Sequence, residues 1–234
     1  MDELKKILSV WNMDIDDKRY DMFNRYYDLL IRYNEVMNLT TITRRDEVAS
    51  KHFADSIAVL FYSDLSGSSL IDIGTGAGFP GIPIKIMCPD CKVVLIDSLQ
   101  KRVLFLNDVI EELGLTGINA VHGRAEDLAK DPKFRQRFDI ATSRAVSNLR
   151  TLSEYCLPFV KPGGTFVSYK SGNIDEELNE SLNAIDRLGG SFNRSERFFI
   201  PSTDYERTLI YIDKIKDTPE KYPRKAGVPL KKPL

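Results

Sequence analysis

Apolar positions along the chain change period twice. Between Asp17 and Met37, Phe23, Tyr26, Tyr27, Leu30, Tyr33 and Met37 recur at three- and four-residue steps, which predicts a long amphipathic helix. Asn38 with Thr40 or Thr41 can stop it and start a turn. A further helix is expected over about Asp46 to Tyr62; it carries His52 and Asp55, which from spacing alone read as capping and surface groups before they read as site groups.

From Ser69 onward the period shortens and strands alternate with helices, the signature of an α/β fold with a parallel sheet and right-handed crossovers. Strands are expected at Leu70 to Ile73, Lys92 to Asp97, Ile118 to His122, Phe138 to Thr142 and Thr165 to Tyr169. The helices between them are a short one holding Ile82, Ile84, Ile86 and Met87, then Lys101 to Leu113, then Val146 to Val160; another, Ile174 to Leu188, follows the fifth strand. Lys161-Pro162-Gly163-Gly164 reads as the turn that launches the fifth strand, which ends at Lys170. After Gly189 and Gly190 the habit changes: Ser191 to Ile200 and Asp204 to Asp213 form an antiparallel strand pair around Pro201 and Ser202. The pattern divides the chain into a helical extension (1–66), an α/β domain (67–213) and a tail (214–234).

Composition adds limits. With 234 residues, 42% hydrophobic and 29% charged, the chain can bury one substantial core. Neither a signal-peptide core nor a run near 20 apolar residues is present, so a cytoplasmic protein without membrane contact is expected. The net charge of −1 announces no nucleic-acid partner, so any such contact must be a local patch. Three cysteines favour reduced thiols; Cys88 and Cys91 form C-x-x-C, but with only two histidines in the chain they read as core or surface residues and not as a metal site.

The densest chemistry lies at Leu70 to Gly81, where a strand ends in Asp72 and breaks into Gly74, Gly76, Gly78 and Gly81, four glycines within eight residues. Backbone without Cβ lies against something there. A dinucleotide fingerprint needs G-x-G-x-x-G, and here the third glycine arrives one residue early. With Asp72 in front, the stretch resembles the first motif of the class I S-adenosylmethionine-dependent methyltransferases, which have a Rossmann-like doubly wound sheet finished by an antiparallel strand pair. The implied cofactor is S-adenosyl-L-methionine.

Three strand ends supply the other candidates. Asp97, 25 residues after Asp72, closes the second strand where it can accept hydrogen bonds from ribose hydroxyls; it can equally cap the next helix, a role worth about 1 kcal/mol. Glu126, in Gly123-Arg124-Ala125-Glu126, stands where it can accept from an adenine amino group or simply favour the start of a helix. Arg144 follows the fourth strand, where doubly wound enzymes place site groups. The tail from Lys221 has five basic residues, three prolines and no acid; it is expected to form neither a helix nor a central strand, and to be either a disordered end or an arm across the site that holds phosphates.

Missing motifs narrow the reaction. The fourth strand is followed by Ser143-Arg144-Ala145-Val146, not by the Pro-Pro-aromatic motif of amino methyltransferases, and no cysteine sits there for carbon methylation of pyrimidines. An acceptor with a free lone pair and no proton to lose, such as a purine N7, remains favourable. Proximity and alignment alone can supply roughly 7 to 11 kcal/mol of such a barrier.

Tyr33-Asn-Glu-Val-Met-Asn-Leu-Thr40, His52-Phe-Ala-Asp-Ser56, the glycine stretch from Asp72, Asp97-Ser-Leu-Gln-Lys-Arg102, the motifs at Gly123 and Ser143, and the tail from Tyr222 together resemble the bacterial 16S ribosomal RNA guanine-N7 methyltransferases, the glucose-inhibited division protein B family. The resemblance implies a cytoplasmic enzyme, read as a monomer, that methylates a guanine N7 in a small-subunit rRNA loop near the decoding site. Its partner would be the 16S rRNA or the small ribosomal subunit. It places cofactor contacts on Gly74, Phe79, Ala125, Glu126 and Arg144, with Arg144 also the positioning candidate; Asp97 joins them from the strand pattern. Thr75 and Ser171 depart from the family's usual Ser and Gly. Charge alone offers Arg44, Arg45, Lys101, Arg102, Arg224 and Lys225 for RNA. A fold retained for RNA binding or assembly without chemistry is the alternative.

Overall fold

The computed structural model describes residues 1–144 and 147–234. Seven strands form one sheet in the order β3-β2-β1-β4-β5-β7-β6. They are β1 (Ser69–Ile73), β2 (Lys92–Asp97), β3 (Ile118–His122), β4 (Phe138–Arg144), β5 (Val160–Ser171), β6 (Gly190–Phe199) and β7 (Glu206–Lys214). The first five are parallel, β7 enters antiparallel to β5, and β6 pairs antiparallel with β7. The strand order reverses at β1, between β2 and β4, so the loops leaving these three strands surround one crevice.

Alternation along the strands feeds two apolar layers. Leu70, Val93 and Leu95 point to one layer, while Ile71, Ile73 and Ile96 point to the other. The first layer is covered by the helical extension. Helix α1 (Asp2–Val10) buries Leu4, Ile7 and Leu8, and α2 (Asp17–Met37) buries Phe23, Tyr26, Leu29 and Leu30. Asp16 caps α2 by accepting the Arg19 N–H at 2.7 Å, and Asn38 ends it in the left-handed region at φ 51°.

Several expectations change. Helix α1 was not foreseen, although Leu4, Ile7, Leu8 and Trp11 carry its three-and-four spacing. The expected helix from Asp46 to Tyr62 is interrupted: a turn at Arg45–Glu47 widens into a π-helical segment, Val48–Ala54, followed by Asp55–Ile57 and Val59–Tyr62. The Lys161 to Gly164 stretch lies within β5, because Gly163 absorbs a bend at φ 86° and Gly164 packs against the Asp139 carbonyl too closely for a Cβ. The helix expected from Val146 begins at Leu149, where the Asn148 side chain accepts the Thr151 N–H at 3.0 Å, and Pro158 shifts its end into a 3₁₀ turn, Leu157–Phe159. Val146 itself lies outside the described residues.

The tail is ordered and makes one helical turn, Val228–Lys231, contrary to expectation. Pro229 occupies its first turn, where a missing N–H costs nothing. Tyr222 is buried; Arg135 donates to the carbonyls of Tyr222 and Thr218 at 2.9 and 2.7 Å. Arg224 donates from its backbone and guanidinium to Glu154, a carboxylate with no exposure, at 2.6 to 3.1 Å.

Candidate cofactor site

The buried carboxylate of Asp72 is the hub of the glycine loop. It accepts from the Thr75 hydroxyl at 2.6 Å, the Gly81 N–H at 2.9 Å and the Thr142 hydroxyl at 3.3 Å, which draws the loop, the helix after it and β4 together. A Cβ at Gly81 would stand 3.0 Å from Asp72 Oδ2, so only glycine permits this closure. Burial pushes the Asp72 carboxyl up to about 6, against the pull of those donors. Tyr26 of α2 donates to the Ala77 carbonyl and so ties the helical extension to the loop.

The next strand fixes the loop's other side. Gly74 and Thr75 donate to the Ile96 carbonyl at 3.0 and 3.1 Å, and the Asp97 carboxylate accepts from Gly76 N–H at 3.0 Å, Leu99 N–H at 2.9 Å and Arg102 at 3.3 Å. Gly76 sits at φ 61° and a Cβ there would meet no protein atom within 4 Å. The loop thus presents bare backbone to a cavity of about 680 Å³.

Gly74, Phe79, Asp97, Ala125, Glu126 and Arg144 all line that one cavity. Asp97 both caps the segment after β2 and faces the cavity, so its two readings coexist. Glu126 is buried and accepts the Gly227 N–H at 2.9 Å, which brings the tail to the cavity mouth. Leu230, Tyr155, Leu39 and Thr40 also line the wall and were not singled out as cofactor contacts. Tyr33-to-Thr40 and the tail did carry motif residues, which is the signal that could have found Thr40 and Gly227.

His52 and Asp55 are not the surface groups expected from spacing. Asp55 is 4% exposed and holds two arginines: Arg144 Nη1 donates to it at 2.8 Å and Arg207 Nε at 3.1 Å. The widened turns of Val48–Ala54 leave the Lys51 and His52 carbonyls to accept from Arg144 as well, at 3.2 and 3.4 Å. The His52 ring stacks on Phe79 with centroids 4.7 Å apart, and the Arg144 guanidinium lies 4.9 Å from the same phenyl centre. Because arginine only donates, His52 Nδ1 accepts from Arg144 at 3.4 Å and its proton resides on Nε2, 2.8 Å from the Thr40 hydroxyl. Burial, then the charge of Arg144, hold His52 down at about 3. It is a neutral ring wedged in place.

Other expectations resolve locally. Arg224, offered for RNA, is engaged by Glu154; Arg44 and Arg45 pair with Asp46 and Asp28 at 2.8 and 2.7 Å on the surface. Arg102 is drawn to Asp97 at the cavity. Lys170 donates to Glu177 at 2.7 Å and to the Ser147 carbonyl at 2.8 Å. Cys88 and Cys91 are buried free thiols, and burial pushes Cys91 up to about 12.

Order reversal at β1, the glycine loop beneath it, acids after β2 and β3 and the β7-β6 pair define a class I S-adenosylmethionine-dependent methyltransferase fold. Solved structures agree on the fold. A putative methyltransferase (BH2331) from Bacillus halodurans superposes with a TM-score of 0.55 at 16% identity, covering 70% of this chain and 100% of that one. TYW2 from M. jannaschii, solved in complex with AdoMet, gives 0.54 at 14% identity over 69% and 75%. At the level of sequence, the model of the GidB family, described as rRNA small subunit methyltransferase G, matches residues 19–197. A ribosomal RNA small subunit methyltransferase G from Lachnoclostridium phytofermentans is 52% identical over 95% of this chain and 92% of its own length; one from Lactobacillus acidophilus is 47% identical over 97% and 96%. The chain belongs to the rRNA small subunit methyltransferase G family, whose members are S-adenosylmethionine-dependent rRNA methyltransferases. Membership favours this enzyme over a fold kept only for binding. Among the described residues no helix is long and apolar enough to cross a membrane.

Proposed function

We propose that this chain, acting as a cytoplasmic monomer, transfers the methyl group of S-adenosylmethionine to N7 of a guanine in 16S rRNA, in a loop near the decoding site. The observation that carries the reading is the convergence of six residues from four separate motifs on one cavity at the ends of β1, β2, β3 and β4.

The residues present suit the cofactor. Gly76 leaves open a space that a side chain would fill, and Gly74 lines the same cavity; Asp97 is the acceptor for the ribose hydroxyls in this reading, and the Ala125–Glu126 segment the one beside the base. Once bound, the cofactor supplies an electrophilic methyl on a cationic sulfur. N7 of guanine offers a lone pair and no proton, so the chain need not provide a general base. His52 fits that economy: its one basic nitrogen already accepts from Arg144. What the protein does is position. Arg144, fixed by Asp55 and the Lys51 and His52 carbonyls, stands at the wall the acceptor must approach.

The test is to incubate the protein with labelled S-adenosylmethionine and small ribosomal subunits lacking the modification, then map the label. Label on a guanine N7 is expected. Label on an exocyclic amino group, or on protein, would reject the reading.

A further inference from the structure

Beside the cofactor cavity lies a second one of about 300 Å³, and the two share His52 and Arg144 as their common wall. Four cationic side chains line it: Lys51, Arg144, Lys170 and Arg207. Their side chains are only 19%, 13%, 14% and 21% exposed, so these charges are turned inward. Facing them is a single carboxylate, Asp55, already shared between two arginines. Glu47 and Glu177, which hold Lys51 and Lys170, do not line the cavity. Counting those two acids with Asp55, four cations meet three carboxylates, an excess of one positive charge around the cavity in a protein whose net charge is −1.

The remaining lining is Ser171 and two largely apolar residues. These are Ile42 and Tyr169, and the Tyr169 hydroxyl is anchored on the Ser56 carbonyl at 2.9 Å, which leaves its ring fixed. A space of this size is at the small end of ligand pockets and takes one nucleotide, not a stacked helix. Resting on the proposed methyl transfer to rRNA, the geometry points to this cavity as the seat of the acceptor nucleotide. The base is swung out of its stack against Ile42 and Tyr169, its phosphate is held by Lys51, Lys170 and Arg207, and the reacting edge faces the wall of His52 and Arg144. Lys51 and Lys170 thus become acceptor-binding residues, and Arg144 the group that both cavities use.

Lys51→Met, Lys170→Met and the double variant test this, each kept only if its melting temperature stays near that of the parent. Three quantities are measured: affinity for S-adenosylhomocysteine, KM and kcat on unmodified small subunits, and inhibition by guanosine 5′-monophosphate. Cofactor affinity should stay within about twofold, while KM rises roughly tenfold or more in the double variant with a smaller change in kcat. The slope of log KM against log salt should flatten by about 0.7 to 1 per lysine removed. Guanosine 5′-monophosphate should compete with the subunit for the parent and lose that effect in the double variant, while Lys170→Arg restores it. An equal loss of cofactor affinity would assign the cluster to the cofactor and overturn the inference; so would an unchanged KM and salt slope. Should the parent enzyme itself place no label in rRNA, the proposed function fails before this cavity is tested.

Discussion

Arg144 on β4 and Asp55 on the helical extension meet at 2.8 Å, with Arg207 of β7 on the carboxylate's other oxygen at 3.1 Å. One nearly buried acid therefore joins the parallel half of the sheet, the antiparallel half and the helices before it. Removing one member of a buried pair strands the other charge and costs about 3 to 5 kcal/mol. Asp55→Ala is expected to lose stability of that order and, by freeing Arg144, to weaken S-adenosylhomocysteine binding. Denaturant melts and calorimetric titration check both; a variant as stable as its parent would remove Asp55 from this role.

The glycine loop should separate fold from function. Gly74 lies at φ 69°, a region that costs a β-branched residue about 1 to 3 kcal/mol, and it borders the cavity. Gly74→Val should lose at least about tenfold in cofactor affinity while the far-ultraviolet spectrum stays native. Gly76→Ala adds a Cβ that meets no protein atom but stands at φ 61°, so its folding penalty is backbone strain alone, about 1 to 2 kcal/mol, and its loss of binding free energy should exceed that.

Asp72 separates charge from acceptor geometry. Asp72→Ala leaves the Gly81 N–H and the Thr75 hydroxyl without their buried acceptor, at about 1 to 3 kcal/mol each. Asp72→Asn keeps one oxygen for those donors. The asparagine variant should retain cofactor affinity within a few-fold, and the alanine variant should lose far more.

Two groups give stability opposite pH slopes. His52 is held at about 3 against an ordinary 6.5, so between these values the unfolded chain binds a proton that the folded chain does not. Its contribution is complete above pH 6.5 and is lost as pH falls towards 3. Asp72 is raised to about 6 from 3.8; its contribution is complete below 3.8 and is lost as pH rises through 6. His52→Gln should flatten the acid side of the stability curve and Asp72→Asn the limb between about 4 and 6. Ring signals of His52 that shift between pH 5 and 7 would contradict the first assignment.

The tail is built to cover the site. Arg224→Met leaves Glu154, which has no exposure, without its cation, a loss of about 3 kcal/mol. Because Gly227 donates to Glu126, truncation after Lys221 should weaken cofactor binding as well as RNA engagement, not RNA engagement alone. Isothermal titration of the truncated chain decides between these outcomes.

Much of this arrangement is legible in residue order. Strand ends closed by acids, an early third glycine and a final strand pair put Gly74 and Asp97 at one end of the sheet, whereas Glu126 stands level with a helix-start role until the family resemblance raises it. What spacing did not show was pairing at long range. Asp55 reads as a surface acid until Arg144, 89 positions later, and Arg207, 152 positions later, are folded against it. Arg224 reads as free charge until Glu154, 70 positions earlier, is seen beneath it. The π-helical segment is likewise invisible to a 3.6-residue period, although it is what turns the Lys51 and His52 carbonyls to Arg144.

The chemistry of the site depends on where the cofactor sits, and a crystal structure of the full chain with S-adenosylhomocysteine tests that most directly. The expected density lies in the cavity of Gly74 and Phe79, with ribose hydroxyls on Asp97 and the adenine beside Ala125 and Glu126. Density at any other place, or ribose turned away from Asp97, would contradict it.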